Sequence, residues 1–285
     1  MPHTIAASLR AVAEQLADAG VPDPLVDAEL LVGHVLGRSR GEVQAATVRG
    51  DTLDESVQDQ LCELTRRRAA REPLQHLTGV AAFRHLELAV GPGVFVPRPE
   101  TETVVQFAID ALTASAESEP VAVDLGTGSG AIALAMATEV PHARVFAVER
   151  SPEAHVWAAR NTASAANLTL ALGDLATAFE ELRGRVAVVI SNPPYVPDDA
   201  IPRDPEVRLH DPAQALYGGA DGLDVVRVIS RRAQELLRPG GLLVLEHGEL
   251  QGPAIRSILA GDGWRVPATH QDLTRRDRAT TALRP

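Results

Sequence analysis

The chain contains no lysine: all 27 of its basic residues are arginine. That excludes Schiff-base chemistry, a phosphate-binding loop lysine and a lysine general base. One cysteine, Cys62, excludes an internal disulfide and any cysteine-built zinc cluster, and fits a reducing compartment. Aromatic residues make up only 3% of the chain, so aliphatic side chains must fill the core. No apolar run approaches the roughly 18 residues that a membrane helix needs. Met1 to Arg10 lacks the basic-then-apolar pattern of a signal peptide. Nine histidines are scattered without paired ligand spacing, so no metal site is expected. The net charge of −11 argues against broad electrostatic attraction to nucleic acid or anionic membrane. A soluble cytoplasmic protein is expected.

What is present fits an ordinary globular protein, with 45% apolar and 23% charged residues. A length of 285 residues allows one or two domains. Residues 1–75 read as a small helical bundle. Leu9, Val12, Ala13 and Leu16 share one helical face, as do Ala28, Leu31, Val32, Val35 and Leu36, and then Val57, Leu61 and Leu64. Thr52 and Glu55 resemble a capping box before the third helix. Arg66, Arg67 and Arg68 read as a solvated helix end. Residues 76–97 read as a β-hairpin linker, with Gly91-Pro92-Gly93 as its turn and Val94-Phe95-Val96 as its second strand. Arg98 and Glu100 follow on a stiff, proline-bracketed stretch, as an interdomain salt bridge or as a wall of the cofactor or substrate pocket.

From residue 98 to 285 strands alternate with helices. Strands are predicted at 121–124, 143–148, 168–172, 186–191 and 242–246, then at 264–267 and 280–283. Helices are predicted near 101–113, 130–138, 152–166, 176–183, 222–237 and 248–260. The first five strands are continuous apolar runs, as in a parallel sheet covered on both faces. Arg275, Arg276 and Arg278 alternate with Asp272 and Asp277 and read as an ion-paired surface.

The first of these strands ends in Asp124-Leu125-Gly126-Thr127-Gly128-Ser129-Gly130. Alternate glycines let the backbone approach a ligand at the C-terminal edge of the sheet. Glu149 ends the next strand, where an acid can accept hydrogen bonds from both ribose hydroxyls. The glycine spacing, with Asp124 before it, looks like the S-adenosylmethionine loop of class I methyltransferases. An acid at that place can hold an ammonium and would repel a pyrophosphate. A dinucleotide site and a purely structural turn are the alternatives.

The fourth strand ends in Asn192-Pro193-Pro194-Tyr195. With three Asn, twenty Pro and two Tyr in the chain, this tetrad arises by composition with a chance of about 10⁻⁴. It suits methylation of a planar amide or amino nitrogen, whose lone pair is delocalised. The Asn192 side-chain oxygen and the Pro193 carbonyl can each accept one N–H bond and so aim the nitrogen. Tyr195 can stack on the planar group, and the double proline stiffens the segment. The tetrad resembles two groups of methyltransferase, one acting on amino groups of nucleic-acid bases and the other on glutamine side-chain amides in proteins. It does not separate them.

Further stretches resemble the second group: Glu72-Pro73-Leu74-Gln75-His76-Leu77-Thr78-Gly79, Val96-Pro97-Arg98-Pro99-Glu100-Thr101-Glu102, Glu246-His247-Gly248-Glu249-Leu250-Gln251, and Asp272-Leu273 followed by Asp277-Arg278. With the glycine loop and the tetrad, their order is similar to the peptide chain release factor glutamine methyltransferases, the PrmC/HemK family, over nearly the whole chain. The resemblance implies a Rossmann-like α/β fold with a seven-stranded, mostly parallel sheet, preceded by an N-terminal helical substrate-binding domain and a hairpin linker. It implies methyl transfer from S-adenosylmethionine, leaving S-adenosylhomocysteine, to the amide nitrogen of the glutamine in the Gly-Gly-Gln motif of release factors. Gly126, Thr127, Gly128, Ser129 and Gly130 would line the cofactor site with Asp124, Glu149, Asp174, Leu175 and Asn192. Asn192, Pro193, Pro194 and Tyr195 would hold the glutamine. Some members carry an aromatic residue after the acid of the third strand–helix loop; here Leu175 follows Asp174, so the adenine contact would be aliphatic. A release factor is the expected partner, the chain is expected to act as a monomer, and neither membrane nor direct nucleic-acid contact is expected. The acidic charge favours a protein substrate over the alternative, a nucleic-acid adenine or guanine N-methyltransferase.

Overall fold

The computed structural model describes residues 3–285. They form two compact units. One holds the described residues up to Val80 together with Pro202–His210, and the other holds Ala81–Ile201 and Asp211–Pro285.

In the first unit β1 (His3–Thr4) pairs antiparallel with β2 (Thr52–Leu53) beside helices α1 (Ile5–Asp18), α2 (Pro24–Leu36), α3 (Arg40–Arg49), α4 (Glu55–Ala69) and α5 (Leu74–Thr78). The apolar stripes predicted for the helices meet in one core: Leu9, Val12 and Leu16 of α1, Ala28, Leu31 and Val32 of α2, and Leu61 of α4 are buried. Each large aliphatic chain so buried contributes about 1.5–3 kcal/mol.

Three local expectations fail here. Thr52 does not cap α4, because it is committed to the β2 ladder opposite Thr4. Asp54 does so instead, its Oδ1 accepting the Val57 N–H at 2.9 Å. The capping box belongs to α3, a helix that the apolar pattern hides because only Val43 and Ala46 are buried. There the Ser39 hydroxyl accepts the Glu42 N–H, and the Glu42 carboxylate accepts the Ser39 N–H at 2.8 Å. The basic run is not all solvated. Arg68 is buried and donates to Asp27 and Glu206, each at 2.7 Å.

A two-stranded ribbon, β3 (Val80–Phe83) and β4 (Leu86–Ala89), follows, all of it but Val80 in the second unit. The ribbon's own turn is therefore at Arg84-His85; Gly91-Pro92-Gly93 makes a separate turn after it, Val94 donating to the Gly91 carbonyl at 3.4 Å, and Val94–Val96 joins no strand. Arg84 takes a left-handed φ of 54° and is fixed there: its N–H donates to Glu102 at 3.0 Å and its guanidinium to Glu139 and Gln106. Gly91-Pro92-Gly93 runs against the helix that carries Trp157, whose indole donates to the Pro92 carbonyl at 3.2 Å. A Cβ at Gly91 would lie 2.5 Å from that ring.

After α6 (Pro99–Thr113), β5 (Val121–Leu125), α7 (Ala131–Glu139), β6 (Arg144–Glu149), α8 (Pro152–Thr162), β7 (Leu168–Leu172) and β8 (Val186–Ser191) alternate. Two short helices, α9 (Pro205–His210) and α10 (Ala213–Leu216), precede α11 (Asp224–Leu236), β9 (Leu237–Glu246), α12 (Gly252–Gly261), β10 (Arg265–Gln271) and β11 (Asp277–Leu283). The helix expected over 176–183 is only a single 3₁₀ turn, Glu180–Leu182. Phe179 stops it, with φ at 65° and its ring buried edge-on against Phe146.

The seven strands lie in the order β10-β11-β9-β8-β5-β6-β7. Strands β5 to β9 run parallel, β11 is antiparallel to β9, and β10 is antiparallel to β11. Alternation along the strands splits the apolar side chains between two cores. Ala122, Val145 and Val188 face α6 and α7, whereas Val123, Val148 and Val189 face α11 and α12. The chain winds outward from β5 through β6 to β7 and returns on the other side of β5 at β8. The loops after β5 and β8 therefore diverge, which opens a crevice at the carboxyl edge. Among the described residues no helix is long and apolar enough to cross a membrane.

Candidate active site

The loop after β5 folds on its own backbone. The N–H groups of Gly126 and Thr127 both donate to the Val148 carbonyl at 3.0 Å, and that of Gly130 to Thr127 at 2.9 Å. Gly126 and Gly128 have φ of 81° and 58°, which a side chain would strain. A Cβ at either would meet no atom within 4 Å, so both face open space. Ser129 is tied from outside: Asn161 donates to its carbonyl at 2.9 Å and also exchanges two bonds with Ala89 of β4.

Asp124 is fully buried beneath this loop. Its Oδ2 accepts the Thr127 hydroxyl at 2.5 Å, while Oδ1 has no partner among the described residues. Burial pushes its carboxyl up to about 7, and the nearby Glu149 charge pushes the same way. Glu149, at the end of β6, closes the loop from the other side. Its Oε2 accepts the Gly128 N–H and its Oε1 the Ser151 N–H, each at 2.8 Å. Past β7, Gly173 donates to the Glu149 carbonyl at 2.9 Å. Asp174 follows, exposed, with its Oδ1 accepting the Ala176 N–H at 2.8 Å, and Leu175 is half-buried.

Asn192, Pro193, Pro194 and Tyr195 leave the end of β8, the immediate neighbour of β5. Pro193 is buried, while Asn192, Pro194 and Tyr195 are half-buried; burial pushes the Tyr195 phenol up to about 12. The carboxyl ends of β5, β6, β7 and β8 thus bring all thirteen residues singled out in the sequence to one edge of the sheet.

Three further groups belong to this edge. The Ser191 hydroxyl donates to the Leu125 carbonyl at 2.5 Å, joining the tetrad's strand to the glycine loop's strand. Glu246, at the end of β9, is buried with the Thr101 hydroxyl and the Asn192 side chain against it. Burial raises its carboxyl to about 7 against the pull of Thr101, Arg278 and Asn192. Gln251 reaches back to the tetrad's backbone. Sequence reasoning could have reached Glu246 and Gln251, which lie in a stretch already singled out, but Ser191 carries no signal beyond its place at a strand end. His247 next to them is structural. Its Nδ1 lies 2.8 Å from the Gly248 carbonyl and must donate, so Nε2 accepts the Thr280 hydroxyl at 2.8 Å. Arg98 pairs with the buried Asp211 at 2.8 Å and lies over the Phe95 ring. Of Arg275, Arg276 and Arg278 only Arg278 is drawn in, toward Asp272 at 3.5 Å; Arg275 and Arg276 are exposed.

A sheet of this order, with a glycine loop after its first strand and an acid after its second, defines the class I methyltransferases. A solved structure of this fold, the hMettl16 catalytic domain in complex with the MAT2A 3'UTR hairpin 6, superposes with a TM-score of 0.57 over 78% of this chain and 82% of its own at 14% identity, which bears on fold alone. Residues 7–79 match the PrmC N-terminal domain and residues 85–215 the methyltransferase small domain. A release factor glutamine methyltransferase of Streptomyces coelicolor is 49% identical over 282 residues, 98% of each chain. A 4-amino-L-phenylalanine/4-methylamino-L-phenylalanine methyltransferase of Streptomyces pristinaespiralis is 36% identical, over 99% of this chain and 95% of its own. The chain belongs to the release factor glutamine methyltransferase family.

Proposed function

We propose that this protein methylates the side-chain amide nitrogen of the glutamine in the Gly-Gly-Gln motif of peptide chain release factors, in the cytoplasm, with S-adenosylmethionine as methyl donor. The observation that carries the reading is the seating of Asn192–Tyr195 on the strand next to the glycine loop, with Ser191 bonded across to Leu125. The residues fit the donor. Asp124 offers a buried, unpartnered oxygen for an ammonium, Gly126 and Gly128 leave open space for a chain running over the loop, and Glu149 keeps free lone pairs for two ribose hydroxyls. Leu175 would give an aliphatic face to adenine. When bound, S-adenosylmethionine supplies an electrophilic methyl carbon on a sulfonium.

The protein's own work is positioning. Asn192 Oδ1 and the Pro193 carbonyl accept the two N–H bonds of the acceptor amide and turn its nitrogen toward the cofactor side of the crevice. Both acceptors also favour positive charge on that nitrogen. Held reactants gain effective molarities of about 10⁵–10⁸ M, so no covalent enzyme intermediate is needed, and the nitrogen that gains the methyl group gives up one of its two protons to water. The helical first unit and the two-stranded ribbon would grip the body of the release factor.

A parallel assay with labelled cofactor tests the reading. Release factor, its Gln-to-Ala variant in the Gly-Gly-Gln motif, DNA, RNA and 4-amino-L-phenylalanine are offered separately. The expected outcome is labelling of the intact release factor alone. Label on the amino acid would move this chain to the chemistry named for the Streptomyces pristinaespiralis relative, whose acceptor is also a planar nitrogen. Label on nucleic acid would overturn the protein substrate.

A further inference from the structure

Two of the tetrad's four residues, Pro193 and Pro194, have no backbone N–H. A segment that must hold a substrate in one place therefore has few donors with which to fasten itself, and its carbonyls have to be held from outside. The Tyr195 carbonyl is held in this way by one side chain: Gln251 Nε2 donates to it at 2.8 Å. The other end of the same carboxamide is also engaged, since Oε1 accepts the Gly248 N–H at 2.9 Å. Gln251 is itself fixed, at the start of α12, with its N–H on the Gly248 carbonyl at 3.0 Å. Gly222 lets the two partners meet, because a Cβ there would lie 2.2 Å from the Tyr195 oxygen and 2.9 Å from Gln251 Nε2. Immediately downstream the chain is anchored again, Val196 donating to Leu216 at 2.8 Å.

We propose that Gln251 is a positioning residue for methyl transfer: its carboxamide links the loop after β9 to the Tyr195 carbonyl and so sets where Pro193 and Tyr195 present themselves to the acceptor amide. The inference rests on the reading of the tetrad as the acceptor site.

The informative variant is Gln251→Glu, which keeps the size of the side chain. One oxygen still accepts the Gly248 N–H. The other, when ionised, faces the Tyr195 carbonyl with no proton to give. When protonated it donates, and the link returns. A half-buried carboxyl beside a carbonyl oxygen titrates above its usual range, so the recovery falls within a workable pH window. With release factor as acceptor, kcat of Q251E at pH 8 is expected to fall about tenfold or more, since displacements of about 1 Å can cost 10²-fold. The Kd for S-adenosylmethionine stays within about twofold of wild type, because the glycine loop is untouched. The ratio of Q251E to wild-type kcat rises severalfold from pH 8 to pH 6, whereas that of Gln251→Ala does not.

Wild-type kcat in Q251E at pH 8, a deficit that does not change with pH, or a parallel loss of cofactor affinity would each overturn the positioning role. Failure of the wild-type protein itself to label release factor would remove the acceptor-site reading and this inference with it.

Discussion

The Ser191 hydroxyl donates to the Leu125 carbonyl at 2.5 Å in the fully buried gap between the ends of β8 and β5. Leu125 is the last residue before the glycine loop and Ser191 the last before the tetrad. One bond therefore sets the spacing of the two loops across the crevice. Replacing Ser191 by Ala leaves a buried carbonyl without its donor, a cost of about 1–3 kcal/mol. A lower thermal midpoint with a kcat loss larger than the loss of cofactor affinity is expected, checked by calorimetry and steady-state kinetics on the same sample. Unchanged kcat would show that the spacing is held elsewhere.

Asn192 supplies one of the two proposed acceptors for the substrate amide. Asn192→Ala should lower kcat by about 10²-fold or more, by analogy with the loss of one preorganised hydrogen-bond partner at a reacting centre. Cofactor binding survives, since Asp124, Glu149 and the glycine loop are intact. Single-turnover labelling of release factor, with a separate titration of the cofactor, reads both quantities. Near-normal turnover would sink the role.

Arg68 links Asp27 to Glu206 inside the first unit, at 2.7 Å to each, with about 7% of its side chain exposed. Arg71 reinforces the site with a bond of 2.6 Å to Glu206. Arg68→Ala takes the bonded arginine from the nearly buried Asp27 and leaves Glu206 with Arg71 alone, and should cost about 3–5 kcal/mol. The bonds from Arg71 and Arg68 hold the Glu206 carboxyl well below the usual glutamate range despite its burial. Its stabilising share is therefore complete above pH 5 and is lost as pH falls through the depressed value. Urea unfolding at pH 7.5 should show the full penalty and unfolding at pH 3 a smaller one. An equal penalty at both would contradict the assignment to this ion pair.

The parts of the fold that were legible in the sequence are those whose signal is local. Continuous apolar strands and the glycine loop depend on a few adjacent residues, and the seven strands lie near their expected positions. What was hidden depends on partners distant in the chain. Arg84 makes the ribbon's turn because Glu102, Gln106 and Glu139 hold its left-handed backbone, which nothing in Phe83-Arg84-His85 announces. Gly91-Pro92-Gly93 does turn, with Val94 donating to the Gly91 carbonyl at 3.4 Å, but the turn packs on Trp157 and does not join the ribbon's strands. At the candidate site the motif residues could be named, because glycine spacing and a double proline are rare. Their fastenings, Ser191 to Leu125 and Gln251 to Tyr195, join strand ends that only the sheet order brings together.

Asp124 carries the last prediction, in which affinity and stability pull against each other. Its carboxyl is raised to about 7 in the folded protein, chiefly by burial. The folded state therefore binds more protons than the unfolded state between about pH 4 and 7, and this group's share of stability declines as pH rises through that window. An ammonium needs the ionised form. Cofactor affinity should accordingly fall up to about tenfold per unit as pH drops below 7, and level off above it. Asp124→Asn keeps an oxygen for the Thr127 hydroxyl but offers the ammonium no charge. Affinity at pH 8 should fall about 10- to 100-fold, the worth of a charge-assisted bond. The same variant removes a buried, half-satisfied charge, so it should unfold at a higher temperature than wild type at pH 8, with the difference closing by pH 5.5, where the wild-type carboxyl is neutral. Titration calorimetry and thermal scans across that range check both halves. A wild-type affinity that stays flat from pH 5.5 to 8.5 would show that the ammonium is not held by Asp124.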